Sequence, residues 1–238
     1  MNEFTYKKLI QEIYDKRAII PFDGSTNKEI VAKDTSLIFT LLPDTSKRLL
    51  DVGCGAGWHL EKFSKLNYQF LTGIDLSKES LRNFAKRFDT NKIFLINEDF
   101  LTCEFPNKYD CVTNFYSCIG QFGKIKDKKF FKKVFNVLDK NGIFILTIFT
   151  TDKARNLEGR YKVRYSKNSS TSVLSNIVFR EKLQKLKIIQ TFAGNILEEE
   201  MTLYSESQII SFFKEANFAG VKILNAHSEY VSTFVGYR

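Results

Sequence analysis

The sequence predicts an α/β fold: a seven-stranded, mostly parallel sheet with helices on both faces and an antiparallel β insertion after strand five. Three observations lead there. From Lys47 to about residue 150, short apolar runs closed by Gly or Asp alternate with helix-like stretches. A glycine-rich turn, Gly53-Cys54-Gly55-Ala56-Gly57, directly follows the first of these runs. Beyond residue 150 the rhythm breaks, and a hairpin reads at Ala193-Gly194-Asn195. With 43% hydrophobic and 26% charged residues over 238 positions, the chain suits one globular domain and excludes disordered or fibrous classes.

The elements follow in order. Apolar residues at 6, 9, 10, 13 and 14, then at 30, 31, 37, 38, 41 and 42, predict amphipathic helices over 4–16 and 26–42, with a turn at Pro21-Phe22-Asp23-Gly24 between them. Strand one spans 48–52 and precedes a helix over 58–66; strand two spans 70–75, and Ser77 caps a helix reaching about Phe88. Strands three and four cover 93–96 and 109–115, with a helix over 130–138 after them. Asn141-Gly142 then turns the chain into 143–149, an apolar run suited to a strand buried on both faces. The hairpin comprises 185–192 and 196–203. A helix over 205–217 with a Ser205/Gln208 capping box and strands at 221–224 and 230–237 complete the sheet. The expected organisation is a single domain over 1–238: N-terminal helices over a cofactor (1–45), a cofactor-binding core (46–150), a substrate-side insertion (151–204), and the final helix and strands (205–238).

The net charge of +9 is unevenly placed. Residues 160–187 carry eight Lys and Arg, Arg160, Lys162, Arg164 and Lys167 among them, against Glu181 alone, and residues 124–133 carry six lysines against Asp127. An anionic partner is expected to meet these two stretches. The N-terminus has no apolar core of signal-peptide length, and no run approaches the ~20 apolar residues of a bilayer span, so a cytoplasmic protein with no membrane partner is expected. Cys54, Cys103, Cys111 and Cys118 form no C-x-x-C pair, and His59 and His227 are far apart in sequence, so free thiols and no metal are expected.

Three glycines between a buried strand and a helix let the backbone turn tightly and bring its N–H groups close to a ligand. They fall at 53, 55 and 57, and Trp58 breaks the G-x-G-x-x-G spacing of a dinucleotide site. Asp51 at the strand end would repel a diphosphate and attract a cationic ligand. Asp75, twenty residues beyond Gly55, can accept from both hydroxyls of a ribose, and Asp99-Phe100 offers an acceptor and an aromatic face to a purine. Ribose, purine and cationic tail together describe S-adenosylmethionine.

In this order the motifs resemble those of class I S-adenosylmethionine-dependent methyltransferases, a Rossmann-like family, over about residues 5–237. The resemblance implies S-adenosyl-L-methionine as cofactor and S-adenosyl-L-homocysteine as product. It implies cofactor contacts from Asp51, Gly53, Gly55, Gly57, Asp75, Leu76, Asp99, Phe100, Asn114 and Phe115, and from Tyr14 toward the methionine carboxylate, although Tyr14 reads equally as a core residue. More narrowly, His59 after Gly57, the segment from Tyr116 to Phe122, and Thr202-Leu203-Tyr204-Ser205 resemble small-molecule N-methyltransferases, nearest to those acting on nucleotide-linked amino sugars. In that branch the position of Gln121 is often a catalytic or orienting His, and glutamine cannot act as a base. The catalytic candidates are Tyr116, Gln121 and His59, the last also reading as a packing residue.

Methyl transfer from a sulfonium needs in-line alignment and exclusion of water more than acid or base, which favours an amine over a hydroxyl acceptor. The expected activity is methylation of an amine or hydroxyl on an anionic small molecule, with a nucleotide-linked or phosphorylated sugar as the candidate, in a monomer or homodimer. The alternative is an RNA or protein methyltransferase using the basic surface. Against it, Asn114-Phe115-Tyr116-Ser117 lacks the Asn/Asp-Pro-Pro-aromatic motif, and no RNA-binding module is appended. A relic fold without activity would need a spoiled cofactor site.

Overall fold

A computed structural model describes residues 3–18, 28–116, 118–164, 172–192, 194–224 and 229–238. The expected turn at 21–24, Lys167, Ser117 and His227 lie outside these residues, as do the side chains of Arg160, Lys162 and Arg164.

Helices α1 (Glu3–Arg17) and α2 (Lys28–Leu41) precede the alternating core: β1 (Arg48–Val52), α3 (Trp58–Lys65), β2 (Phe70–Ile74), α4 (Lys78–Arg87), β3 (Ile93–Ile96), β4 (Tyr109–Phe115), α5 (Lys124–Val137) and β5 (Leu138–Ile148). After an insertion come α6 (Glu206–Glu215), β10 (Gly220–Leu224) and β11 (Ser232–Tyr237). The main sheet runs β10-β11-β5-β4-β1-β2-β3, parallel except for β11, which is antiparallel to both β5 and β10. Strand order reverses between β1 and β4, which places a ligand crevice at their carboxyl ends.

Alternation along the strands supplies two cores. Leu50, Val112, Phe144 and Leu146 face α5 and α6, while Leu49, Cys111, Ile143 and Ile145 face Leu60 and Phe63 of α3, Phe84 of α4 and Ile38 of α2. The first core is an aromatic stack in which Phe131 meets Phe213 edge-on at 4.9 Å and Phe212 at 5.5 Å.

Three local expectations need correction. Helix α5 begins at Lys124, not 130, because a lysine-rich first turn starting after Gly123 hides the helical pattern. Strand β5 begins at Leu138, and Asn141-Gly142 forms a bulge within it: the register against β4 jumps from Tyr109↔Leu138 to Cys111↔Ile143. The insertion holds four strands instead of two: β6 (Gly159–Arg164), β7 (Ser172–Arg180), β8 (Lys185–Phe192) and β9 (Asn195–Thr202) form one antiparallel sheet. Leu157, Leu186, Met201 and Leu203 give it a small core of its own.

Candidate active site

The carboxyl end of β1 makes the first wall. Gly53, Gly55 and Gly57 all adopt positive φ, at 70°, 52° and 71°. The N–H groups of Gly53 and Cys54 donate to the Ile74 carbonyl at 2.8 and 3.2 Å, and that of Gly55 donates to Asp75 Oδ2 at 2.7 Å, so the turn is stitched to the end of β2. Asp75 Oδ1 accepts from the Ser77 N–H at 2.7 Å. Burial pushes the Asp75 carboxyl upward, opposed by those two backbone donors. Each of its oxygens keeps a further lone pair for a ligand hydroxyl.

Helix α1 forms the roof. Ser77 caps α4 by accepting from the Ser80 N–H, and its own hydroxyl donates to Asp15 Oδ1 at 2.6 Å, tying α1 to α4. Ile10 and Tyr14 thereby line one cleft together with Gly53, Gly55, Asp75, Leu76, Asp99 and Phe100. With its open mouth and the solvent there included, the cleft holds about 860 Å³ of space. The loop after β4 and the start of α5 close the far side with Cys118, Gln121, Phe122, Lys126 and Asp127.

Other expected cofactor residues stand behind this wall. Asp51 is 2% exposed and accepts from Thr113 Oγ1 at 2.8 Å, and burial raises its carboxyl to about 6. It lies behind the turn and does not line the cleft. Gly57 packs against α4, Asn114 Nδ2 donates to the Val52 carbonyl at 2.7 Å, and Phe115 stacks on His59 at 4.1 Å; none of the three lines the cleft.

The catalytic candidates separate into two groups. His59 Nε2 and the Tyr116 hydroxyl converge on the buried carboxylate of Asp34 in α2, at 3.1 and 3.0 Å. Burial, and then Asp34 itself, push the Tyr116 phenol far above its usual range, so it serves as a donor and not as a base. Gln121 lies elsewhere: its Nε2 donates to Tyr14 Oη and, at 2.8 Å, to Glu199 Oε1. Tyr14 also donates to Glu199 Oε1, at 3.0 Å. Beside them, Tyr204 donates to Asp127 Oδ2 at 2.6 Å, and burial raises Asp127 to about 6 against that hydrogen bond. Asp34, Asp127 and Glu199 escaped the sequence reading. Only Tyr204-Ser205, quoted as a motif, hinted at one of them.

Part of the basic charge is met by carboxylates. In the inserted sheet Lys185 and Arg180 pair with Glu200, and Lys187 with Glu198; on α5, Lys128 pairs with Glu215.

Residues 49–142 match the family of methyltransferase domains, over the same β1–β5 core that carries the glycine turn and Asp75. Over those residues the chain carries a methyltransferase domain, and its fold is that of S-adenosylmethionine-dependent methyltransferases. Across 164 residues, 68% of the chain, it is 30% identical to an uncharacterized protein of Methanocaldococcus jannaschii, and it spans 40% of that relative's length. It is 25% identical over 236 residues to the carboxy-S-adenosyl-L-methionine synthase of Nautilia profundicola, covering 92% of this chain and 97% of the relative. Among solved structures it is similar in fold to CalS10, an amino pentose methyltransferase from Micromonospora echinaspora, with a TM-score of 0.67 and 21% identity over 88% of this chain and 90% of that one. No helix among the described residues of this methyltransferase is long and apolar enough to cross a membrane.

Proposed function

We propose that this methyltransferase methylates the amino group of a small molecule bearing anionic groups, with a nucleotide-linked or phosphorylated amino sugar as the candidate class. One observation carries the reading. A single cleft is lined by Asp75, Asp99 and Phe100 together with Tyr14 and Gln121, under a roof of α1, which also packs against β9 of the inserted sheet. A cleft of this kind suits a small acceptor better than a folded macromolecule. The amino pentose activity named for CalS10 accords with it.

The residues present fit the cofactor. The glycine turn offers a close backbone approach beside Gly55, where a Cβ would meet nothing within 4 Å, and Asp75 keeps lone pairs for a ribose. S-adenosylmethionine supplies an electrophilic methyl group on a sulfonium. The chain would hold the ribose hydroxyls on Asp75 and the purine between Leu76, Asp99 and Phe100. Tyr14 and Gln121 would orient the acceptor. A neutral amine needs no further activation to attack, whereas a hydroxyl must first lose its proton.

Calorimetry with S-adenosylhomocysteine tests the cofactor half. Asp75→Ala should lose charge-assisted hydrogen bonds of roughly 1.5–3 kcal/mol and weaken binding tenfold or more. An unchanged dissociation constant would remove Asp75 from the site. Release of S-adenosylhomocysteine in the presence of amino sugars, but not of their hydroxyl counterparts, tests the acceptor half.

A further inference from the structure

We propose that Arg87, in the last turn of α4 and outside the cleft, is a positioning residue that holds the glycine turn in its cofactor-binding shape. The inference goes beyond the reading above and rests only on its cofactor half.

Gly53, Gly55 and Gly57 all hold left-handed backbone, a state that glycine enters and leaves with little steric cost. Such a turn keeps one shape only if hydrogen bonds hold its peptide groups. On the β2 side they do: the Gly53 and Cys54 N–H groups donate to the Ile74 carbonyl, and that of Gly55 donates to Asp75. The peptide between Ala56 and Gly57 is held at both of its ends. Its N–H donates to the Cys54 carbonyl at 2.9 Å, and its carbonyl accepts from Arg87 Nη2 at 2.7 Å, across 31 positions of sequence.

Three contacts fix where the guanidinium lies. Its carbon sits 3.5 Å from the centre of the Trp58 ring, and its Nη1 donates to Glu61 in the first turn of α3. Glu61 in turn donates its N–H to the Gly57 carbonyl at 2.8 Å. A planar cation that stacks on a ring while bonding two acceptors is a task for a guanidinium and not for an ammonium. Trp58, the residue that breaks the dinucleotide spacing, is the platform for it. Helix α4 thereby reaches the site from both of its ends: Ser77 at its start bonds Asp75 and the roof residue Asp15, and Arg87 at its finish bonds the turn.

Arg87 is not among the residues that line the cleft, so it acts on the cofactor through the shape of the turn. A ligand that binds one shape loses affinity in proportion to the fraction of molecules that hold it.

The test is calorimetry of S-adenosylhomocysteine with the full chain, alongside fluorescence of Trp58, the only tryptophan. Arg87→Met should weaken S-adenosylhomocysteine binding by about fivefold to tenfold. It should also move the Trp58 emission of the ligand-free protein to longer wavelength as the ring loses its cover. Arg87→Lys should lose nearly as much affinity, since lysine keeps the charge but not the plane, and it carries the test if Arg87→Met does not fold. Arg82→Met, which removes an α4 cation paired with Glu79 within the helix, should bind as the wild type does. Unchanged affinity in Arg87→Met would overturn the proposal whatever Trp58 does, and so would lost affinity with unmoved Trp58 emission. Full affinity in Arg87→Lys, or an equal loss in Arg82→Met, would overturn it by assigning the effect to charge alone. Failure of the wild type to bind S-adenosylhomocysteine would instead overturn the cofactor reading, and this proposal with it.

Discussion

Gly55 and Gly57 both hold left-handed backbone, but their surroundings differ. A Cβ at Gly55 meets nothing within 4 Å, whereas one at Gly57 would lie 2.3 Å from the fully buried ring of Phe84. Gly55→Ala should cost only the backbone penalty of about 1–2 kcal/mol, and Gly57→Ala that penalty plus a core displacement, reaching about 3 kcal/mol or more in urea denaturation. Equal losses would mean that α4 yields freely. Asp127 offers a pH test. Its folded carboxyl is raised to about 6 from an ordinary 3.8, so between those values the native state binds more protons than the unfolded state and stability falls as pH rises. The variant Asp127→Asn lacks this titration. From pH 7 down to pH 5 the wild type should gain about 1.4 kcal/mol relative to it, read from paired denaturation curves. A pH-independent difference would show that Asp127 titrates normally.

Among the elements, α6 is the one whose ends its sequence specifies most fully. Ser205 accepts from the Gln208 N–H at 3.2 Å while the Gln208 side chain accepts from the Ser205 N–H at 2.8 Å. The first turn is further tied down by the Glu206 N–H to Asp152 and by Ser232 to Glu206. Because those ties remain, Ser205→Ala should cost about 1 kcal/mol and leave the fold cooperative, a shift visible in the thermal midpoint. A loss above about 3 kcal/mol would mean that the cap also holds the Phe212-Phe213 face in the core. Helix α1 is the opposite case. Its position over the cleft depends on distant partners, Ser77 and Glu199, more than on its own amphipathic pattern.

At the scale of the whole molecule the charge reading changes most. The two basic stretches read as open to an anion, yet Lys128, Arg180, Lys185 and Lys187 face glutamates across neighbouring elements. Exposed pairs of this kind contribute little to stability, but they lower the field a polyanion would meet. Methylation of a small acceptor should therefore change only slightly between low and moderate salt, and gel shifts with bulk tRNA and rRNA should show weak binding. Tight RNA binding that falls steeply with salt, with methyl groups incorporated into the RNA, would overturn the small-molecule reading.

The sequence by itself determined the β1–β5 core, the glycine turn, Asp75 after β2 and the cap of α6. Each rests on contacts within a few residues or on a repeating apolar period, and local rules read both. Only the tertiary structure decided which distant side chains meet at and behind the cleft. Tyr14, Gln121 and Glu199 come from α1, the loop after β4 and the insertion, and the Tyr14–Glu199 bond spans 185 positions. Asp34 and Tyr116 are 82 positions apart. No local pattern encodes such pairs, since a buried carboxylate and a solvated one are spelled with the same residue. Strands β6 and β7 stayed hidden for a related reason: their stretch becomes a sheet by hydrogen bonding of β6 to β7 and of β7 to β8, not by its own apolar alternation.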